Sequence, residues 1–184
     1  MKTKTNFSLS LGRGLGRGSL LVALTLVGMA RAADPVLMSA DWAKAACEAW
    51  NADAVLPVKL QESGWAGNDK KRGYKLLRIA RKDCEASPVV ELRIASKDGR
   101  AQCIAGEVAA PDVKLDDDVD YLMTAKTARW IEMGKGEYGP MKAMLFGRLS
   151  FDGPMGEAMG NMGPFESFLL LVGKVPSDSS ICPK

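Results

Sequence analysis

Hydrophobic and polar residues alternate along residues 89–95, which predicts a β-strand with one face against a core. Comparable stretches lie on either side, at residues 74–81 and 101–108. Asp98-Gly99, between the second and third stretches, is typical of a tight hairpin turn. The pattern therefore predicts three antiparallel strands that follow one another in a meander.

A different period, close to 3.6 residues, precedes the strands and predicts helices. Apolar positions over residues 42–50 share one helical face, for which Asp41 is the expected N-cap and Asn51 the expected end. A shorter helix is predicted over residues 57–64. The polar residues 67–73 then predict a loop before the first strand.

Four aspartates at positions 116–118 and 120 form an acidic cluster after the meander. The cluster lacks the loop glycine and the distal glutamate of an EF-hand, so we expect a solvated turn in place of a calcium site. Apolar and polar residues alternate again over residues 119–123. This alternation predicts a fourth strand directly after the turn.

The chain after this strand predicts a helix over residues 128–133, capped by Thr124 and ended by Gly134. Three Gly-Pro pairs then follow within residues 139–165. Proline suits the first turn of a helix, because its fixed φ is helical and its missing N–H is not needed there. Residues 148–152, between two of these pairs, alternate as a short fifth strand. The expected helix starts are Pro140, Pro154 and Pro164.

Methionine is concentrated in the same region, because seven of the eight methionines after residue 32 lie within residues 123–162. Two apolar helical faces are predicted there: Met155, Ala158, Met159 and Met162, and then Phe165, Phe168, Leu169 and Val172. Such spacing is more often ordinary core, although flexible methionines also suit a wall that accepts varied apolar ligands. The residues leave both interpretations open. An enclosed void at these residues would favour a lipid site, whereas an exposed apolar patch would favour a protein partner. A solid interior would favour ordinary core.

The first 32 residues are typical of an export signal. Four basic residues precede an apolar stretch at residues 19–30, and Ala30-Arg31-Ala32 fits a cleavage site after Ala32. The apolar stretch is short for a membrane span, and the residue directly after the cleavage site is Ala33 and not a cysteine that would carry a lipid anchor. We therefore expect residues 1–32 to be removed and the mature chain, residues 33–184, to be periplasmic or secreted.

Removal of the signal changes the charge of the chain. Five of the 25 basic residues and none of the 22 acidic residues lie in the first 32 positions, so 20 basic and 22 acidic side chains remain. Binding to phosphate backbones needs a concentrated positive charge. Nucleic acid is therefore not an expected partner.

All four cysteines follow the expected cleavage site, and an oxidising compartment favours two disulfides. The chain has no C-x-x-C and no histidine, so neither a metal site, a redox centre nor another cofactor is expected. In the predicted meander Cys84 and Cys103 lie at opposite ends of the middle strand, beyond the Cα limit of about 7 Å for a disulfide. Cys47 is therefore expected to pair with Cys84 or Cys103, and Cys182 with the other.

The stretch DVDYLMTAKTARWIEMGKGEYGPMKAMLFGRLSFDG, residues 118–153, resembles the C-terminal half of the sterol carrier protein domain family. The shared features are a strand, a capped helix, a G-x-x-x-P-x-x-A approach and a G-[KR]-L-x-[FIV]-x-G segment before a closing helix. The upstream meander also fits, so the resemblance extends over residues 75–175. The matching residues are Gly136, Pro140, Ala143, Gly147, Arg148, Leu149, Phe151 and Gly153.

This resemblance implies a single α/β (α+β) domain over residues 74–175, with a mostly antiparallel five-stranded sheet covered by helices. A helical segment at residues 33–73 precedes the domain, and a tail at residues 176–184 follows it. The resemblance also implies an apolar ligand between the sheet and the later helices: a fatty acid, a sterol-like molecule or a phospholipid. The implied ligand contacts are Trp130, Met133, Met141, Met144, Leu145, Leu149, Phe151, Met155, Met159, Met162, Phe165 and Phe168.

The favoured function is that of an exported, non-catalytic lipid-binding protein that carries or sequesters its ligand and contacts membranes transiently. The alternative is an accessory module of an envelope lipid or transport system, which would bind a protein partner through the same apolar face. An enzyme is disfavoured, because the chain has no histidine and no G-x-S-x-G nucleophile motif.

Overall fold

A five-stranded mixed sheet forms the centre of the structure, which is a computed structural model that describes residues 33–184. The strand order is β3-β2-β1-β4-β5, in which β1 and β4 run parallel and the other three neighbouring pairs run antiparallel. The strands are β1 (Lys75–Arg81), β2 (Val90–Lys97), β3 (Arg100–Val108), β4 (Tyr121–Ala125) and β5 (Ser150–Asp152). The predicted meander and the mostly antiparallel sheet are confirmed. The predicted export signal, residues 1–32, lies outside the described residues.

The hairpin between β2 and β3 has the geometry that its sequence predicts. Asp98 and Gly99 both have positive φ, at 51° and 70°. This backbone matches the right-handed twist of paired strands, and a glycine adopts it without a steric penalty.

Six α-helices and a short 3₁₀ turn, Trp65–Gly67, complete the described part of the chain. No helix within residues 33–184 is long and apolar enough to cross a membrane. The helices are α1 (Ala40–Ala52), α2 (Leu56–Glu62), α3 (Thr127–Gly134), α4 (Pro140–Leu145), α5 (Met155–Gly160) and α6 (Met162–Lys174).

The predicted helix caps are wrong in two places. Ser39, and not Asp41, caps α1, because its hydroxyl accepts a hydrogen bond from the backbone N–H of Trp42 at 3.2 Å. Thr124 belongs to β4, and the helix after it starts at Thr127, whose backbone N–H donates to Asp83 at 2.9 Å. The carboxylate of Asp83, which is distant in sequence, therefore caps the N-terminus of α3 in place of Thr124.

The three proline positions differ in how well they predict helix starts. Pro140 is the first residue of α4, as expected. Pro154 is the residue before α5, and Pro164 lies in the first turn of α6, which begins two residues earlier at Met162. The chain turns at Asn161, with φ −122° and ψ 28°, and so separates α5 from α6.

The core lies between the helices and one face of the sheet. Alternate residues of the central strands, such as Leu77, Leu92 and Met123, are buried there with residues of α1, α2, α3 and α6. Trp50 of α1 also donates its indole N–H to the carbonyl of Ala101 in β3, at 2.8 Å. The helical segment before the sheet is therefore part of the same core and not an appendage to it.

Two disulfides join distant parts of the chain. Cys47 of α1 pairs with Cys103 of β3, with Cα atoms 5.3 Å apart, and Cys84 pairs with Cys182 near the C-terminus, with Cα atoms 5.5 Å apart. This is one of the two connectivities that the predicted meander allows. The second bond ties the expected tail to the end of β1.

The acidic cluster is solvated in part only. Lys70 pairs with Asp116 and Asp118 at 2.8 Å near the surface. Asp120 is buried, accepts hydrogen bonds from the backbone N–H groups of Leu76 and Asp116, and forms an ion pair with Arg72. The expected solvated turn is therefore wrong for Asp120, which fixes the starts of β1 and β4.

Candidate functional site

A narrow apolar cavity lies between the β4–β5 edge of the sheet and helices α4 and α6. Its volume is about 10 Å³, which is room for roughly one water molecule. The walls are formed by Met123, Pro140, Met144, Leu149, Phe151, Met162, Phe165 and Leu169. All eight side chains are apolar, and three of them are methionines, whose flexible thioethers adapt to ligands of irregular shape.

Five of the twelve expected ligand contacts line this cavity: Met144, Leu149, Phe151, Met162 and Phe165. The expected set omits three wall residues, Met123, Pro140 and Leu169. Two of them had a usable signal in the sequence, since Met123 lies on the apolar face of an alternating strand, and Leu169 shares the helical face of Phe165.

Three other expected contacts lie in the core, away from the cavity wall. Trp130 and Met133 of α3 and Phe168 of α6 are fully buried. The Trp130 indole N–H donates to the carbonyl of Ala80 at 3.0 Å, and the centroid of the Phe168 ring lies 6.1 Å from that of Trp50. These contacts give Trp130 and Phe168 a role in packing, and the role of all three residues as ligand contacts stays a prediction.

The remaining four expected contacts are exposed on the short helices α4 and α5. Leu145 has 77% of its surface exposed, Met141 45%, and Met155 and Met159 46% each. The expected face from Met155 to Met162 is interrupted because the helix ends at Gly160 and the chain turns before Met162.

The expected ligand site between the sheet and the later helices is not open in this conformation, and the interior there is nearly solid, which taken alone favours ordinary core. A drug-sized or lipid-sized ligand occupies a pocket of about 300 Å³ or more, far beyond the void of about 10 Å³. A lipid chain could enter this site only if part of its wall moved. The six-residue helix α4 contributes Pro140 and Met144 to the wall, and the six-residue helix α5 directly precedes the wall residue Met162 in the chain. Both helices carry exposed apolar residues, so they are the elements whose movement would enlarge the cavity.

A buried polar cluster lies beside the aromatic wall of the cavity. Its centre is Lys75, the first residue of β1, which has 0% of its surface exposed. Lys75 Nζ lies 2.7 Å from Glu157 Oε2 of α5, and also lies 4.5 Å from the ring centroid of Trp65 and 5.3 Å from that of Tyr121. Alternation along β1 places Lys75 on the same face as Leu77, a signal in the sequence that could have identified it.

Glu157 is the acceptor on which this cluster converges. The Tyr121 hydroxyl donates a hydrogen bond to the Glu157 carboxylate and accepts one from the Trp65 indole at 2.9 Å. Asn68 donates its side-chain amide to the other Glu157 oxygen at 2.9 Å. Glu157 of α5 therefore accepts hydrogen bonds from three donors in other parts of the fold, Asn68, Lys75 and Tyr121.

Burial is the main cause of the pKa shifts of Lys75 and Tyr121 in this cluster. Burial lowers the pKa of Lys75 from its usual value, although the Glu157 carboxylate acts in the opposite direction. Burial and the hydrogen bond to Glu157 raise the pKa of Tyr121, so its phenol stays neutral. An ammonium group in such surroundings requires an anion in contact with it.

The aromatic rings connect the polar cluster to the cavity. The Tyr121 ring lies 5.4 Å from Phe151 and 5.5 Å from Phe165, measured between centroids. Phe151 and Phe165 also line the cavity. A series of aromatic contacts therefore runs from the buried ammonium group, through Tyr121, to the wall of the apolar void.

A basic surface cleft of about 360 Å³ lies elsewhere on the protein. It is lined by Lys82, Lys126, Arg129, Phe146, Gly147 and Arg148. Phe146, with 64% of its surface exposed, adjoins the exposed Leu145 at the end of α4. Within residues 33–184, no cluster of acidic or cysteine side chains is arranged to hold a metal ion.

A family model for the SCP-2 sterol transfer family matches residues 40–166. The chain belongs to this family. The match confirms the resemblance to the sterol carrier protein domain, and it begins at α1, whereas the sequence motifs placed the start of the resemblance at Lys75. Both the cavity wall up to Phe165 and the Lys75–Glu157 pair lie within the matched SCP-2 residues.

A solved structure agrees with the SCP-2 fold. A crystal structure of sterol carrier protein 2 matches with 17% identity and a TM-score of 0.50, over 76% of this chain and 98% of that one. A solution structure of a conserved hypothetical protein from Thermus thermophilus, described as possibly a sterol carrier protein, has 18% identity and a TM-score of 0.47, over 81% and 96%. No curated protein matches the chain.

Proposed function

We propose that this SCP-2 family protein is an exported, non-catalytic carrier that binds the apolar tail of a lipid between the β4–β5 edge and helices α4, α5 and α6. The observation that carries the proposal is the cavity wall, which is formed by eight apolar side chains and includes three methionines. Family membership supports an apolar lipid as the class of ligand.

The energy of such binding comes from removal of the lipid chain from water. Each buried methylene contributes about 0.8 kcal/mol, so a chain of about ten methylenes contributes about 8 kcal/mol before the costs of association. Opening the closed cavity offsets part of this gain. The apolar part of this cost is small for α5, because Ala158 is the buried one of its six residues, and the loss of the Lys75–Glu157 ion pair adds to it.

Displacement of a fluorescent fatty acid tests the site. Met162→Gln places an amide without a partner on the cavity wall, and this should weaken binding by about tenfold, the effect of an unpaired buried polar group of about 1–3 kcal/mol. The matched control is Met159→Gln, which makes the same change at an exposed position of α5. Equal effects of the two substitutions, or none, would place the ligand elsewhere.

Export to an oxidising compartment is part of the proposal. The signal-like residues 1–32 and the two disulfides support it. In the native host, the mature protein should appear in the periplasmic or secreted fraction with Ala33 as its first residue. A cytoplasmic protein that retains Met1 would contradict this part of the proposal.

Delivery or collection of the lipid would occur at a membrane surface. Leu145 and Phe146 are exposed beside a cleft that carries Lys82, Arg129 and Arg148, an arrangement suited to an anionic lipid surface. Co-sedimentation with phosphatidylglycerol vesicles, but not with phosphatidylcholine vesicles, is the expected result, and Phe146→Ser should reduce it.

The second candidate is a protein-interaction module, favoured by the same exposed residues on α4 and α5. Absence of both vesicle and fatty-acid binding would favour this alternative.

A further inference from the structure

We propose that Lys75 is the head-group site for an anionic lipid, and that a fatty-acid carboxylate binds it in the position that Glu157 occupies in the closed conformation. The inference rests on the proposed lipid-binding function and names its ligand class, a long-chain carboxylic acid. In the ligand-free protein, the Glu157 carboxylate therefore occupies the position that the carboxylate of the ligand takes when it binds.

The argument starts from the burial of Lys75. Its side chain has no exposed surface and lies against the rings of Trp65 and Tyr121. Lysine is rarely buried unless it is paired, because its ammonium group is strongly hydrated in water. A lysine held in this position on the core side of the sheet defines a place for one carboxylate.

The carboxylate that fills this place belongs to a weakly anchored element. Glu157 lies on α5, a helix of six residues in which Ala158 is buried while Met155 and Met159 are about half exposed. The side chain of Glu157 keeps 16% of its surface exposed, so a path from its position to solvent already exists. Detachment of α5 would bring Glu157 into water at little cost to the apolar core.

The exchange keeps the buried charge balanced. When α5 detaches, Lys75 loses its carboxylate, and the carboxylate of an entering fatty acid restores it. The Tyr121 hydroxyl, which donates to Glu157 in the closed conformation, can donate to the new carboxylate in the same way. A neutral lipid supplies no carboxylate for this exchange, so it should bind more weakly than the acid.

The aromatic rings set the direction of the tail. Tyr121 lies beside the Lys75–Glu157 pair, and its ring centroid is 5.4 Å from that of Phe151 and 5.5 Å from that of Phe165, both on the cavity wall. A carboxylate at Lys75 would therefore have an apolar surface beside it along which the chain could extend. Head-group and tail sites then form one continuous site beneath α5.

A matched pair of ligands tests the inference: palmitic acid and hexadecanol, which share a chain length and differ in the head group. Both are titrated against the wild-type protein by displacement of an uncharged fluorescent lipid at about pH 7.5, where lysine is ordinarily protonated and a carboxylic acid ionised. We expect the acid to bind about tenfold more tightly than the alcohol, a factor within the range of a charge-assisted hydrogen bond.

Two substitutions test whether the preference for palmitic acid over hexadecanol depends on the Lys75–Glu157 ion pair. Lys75→Met should reduce the preference for the acid to within about twofold while leaving the alcohol bound, because methionine keeps the volume and removes the charge. Glu157→Gln should instead increase affinity for the acid by about tenfold, because it removes the internal competitor and leaves the cation. A purely structural role of the ion pair would make both variants bind both ligands less well.

The controls separate failure of the inference from failure of the proposed function. Lys59→Met, at an exposed ion pair on α2, should leave both affinities unchanged. If Glu157→Gln does not fold, the double variant Lys75→Met/Glu157→Gln replaces it and should bind both ligands equally. Equal binding of acid and alcohol by the wild-type protein overturns the inference alone, whereas binding of neither overturns the proposed function as well.

Discussion

At the scale of single residues, the contact between α3 and α6 depends on two glycines. A Cβ atom on Gly173 would lie 2.2 Å from the carbonyl oxygen of Gly134, which is closer than any real contact. The obstacle is backbone, so it cannot move aside as a flexible side chain would. The two helices can therefore approach this closely only with glycine at the crossing.

We expect Gly173→Ala to destabilise the protein by about 1–3 kcal/mol, the usual cost of an overpacked contact. Urea unfolding followed by tryptophan fluorescence measures the change. Gly163→Ala in the same helix is the matched control, because a Cβ atom there meets nothing within 4 Å. It should leave stability unchanged or raise it by up to about 1 kcal/mol, and similar losses from both substitutions would contradict the packing argument.

The pH dependence of binding follows from Lys75. Burial lowers the pKa of its ammonium group, and Glu157, Tyr121, Trp65 and the nearby Asp120 surround it. The protonated form binds a carboxylate, so affinity for palmitic acid should fall as the pH rises, beginning below the usual lysine pKa of 10.5. Hexadecanol should show no such fall, and titrations from about pH 7 to about pH 10 measure the difference. A parallel decline for both lipids would implicate unfolding instead.

The residue scale also shows why Lys75 and Glu157 were not found from the sequence. Alternation places Lys75 on the buried face of β1, but a lysine at the start of a strand is ordinarily solvated. Nothing in the sequence indicates that Glu157, 82 residues later, would meet it. Contacts of this kind depend on the parallel pairing of β1 and β4, which the local pattern does not encode.

At the scale of secondary structure, α5 is the element on which the account depends. It follows Gly153 and Pro154, ends at Gly160, and is joined to the core by Ala158 and by the hydrogen bonds of Glu157. By contrast, α6 buries five apolar residues along its thirteen positions. The two neighbouring helices should therefore differ in how often they open.

Hydrogen exchange measured by mass spectrometry should show this difference directly. Amides of residues 155–160 are expected to exchange at least about tenfold faster than those in the middle of α6, because local opening is governed by local burial. Palmitic acid should slow exchange in α6 and along β5, where the proposed tail lies. Equal protection of α5 and α6 before palmitic acid is added would contradict α5 as the moving element.

Elements with strong periodicity were predicted well from the sequence. The three strands of the meander and the last helix each have long regular patterns, and the structure confirms them. The face from Met155 to Met162 was predicted as one helix, because the period continues through Gly160 and Asn161, where the backbone turns. The apolar spacing does not reveal this local turn, and Met155 and Met159 are about half exposed in the structure.

At the scale of the whole molecule, the C-terminal tail is held to the sheet by more than one interaction. The Cys84–Cys182 disulfide spans 98 residues, and the Arg81 guanidinium donates to the carbonyls of Ser179 and Ile181 at 2.9 and 2.7 Å. A backbone hydrogen bond from Leu37 to Asp178 adds the N-terminal segment to the same region. The N-terminal and C-terminal segments of the described chain therefore pack next to each other.

Replacement of Cys84 and Cys182 by serine should lower the free energy of unfolding by about 2–4 kcal/mol, because the unfolded chain gains freedom when a long loop is opened. Chemical denaturation of the oxidised wild-type protein and the variant measures the loss. Fatty-acid affinity should stay within about twofold, since the bond lies away from the cavity. A variant as stable as the wild-type protein would show that the tail contacts alone close this region.

The central claim is that an SCP-2 family protein with a closed, methionine-lined cavity opens to hold one lipid chain. Native mass spectrometry of the protein after removal of lipid and incubation with palmitic acid tests it most directly. The account predicts a complex with one bound fatty acid, lost or strongly reduced in Met162→Gln and retained in Met159→Gln. A folded wild-type protein that stays at its ligand-free mass, and that displaces no fluorescent fatty acid, would contradict it.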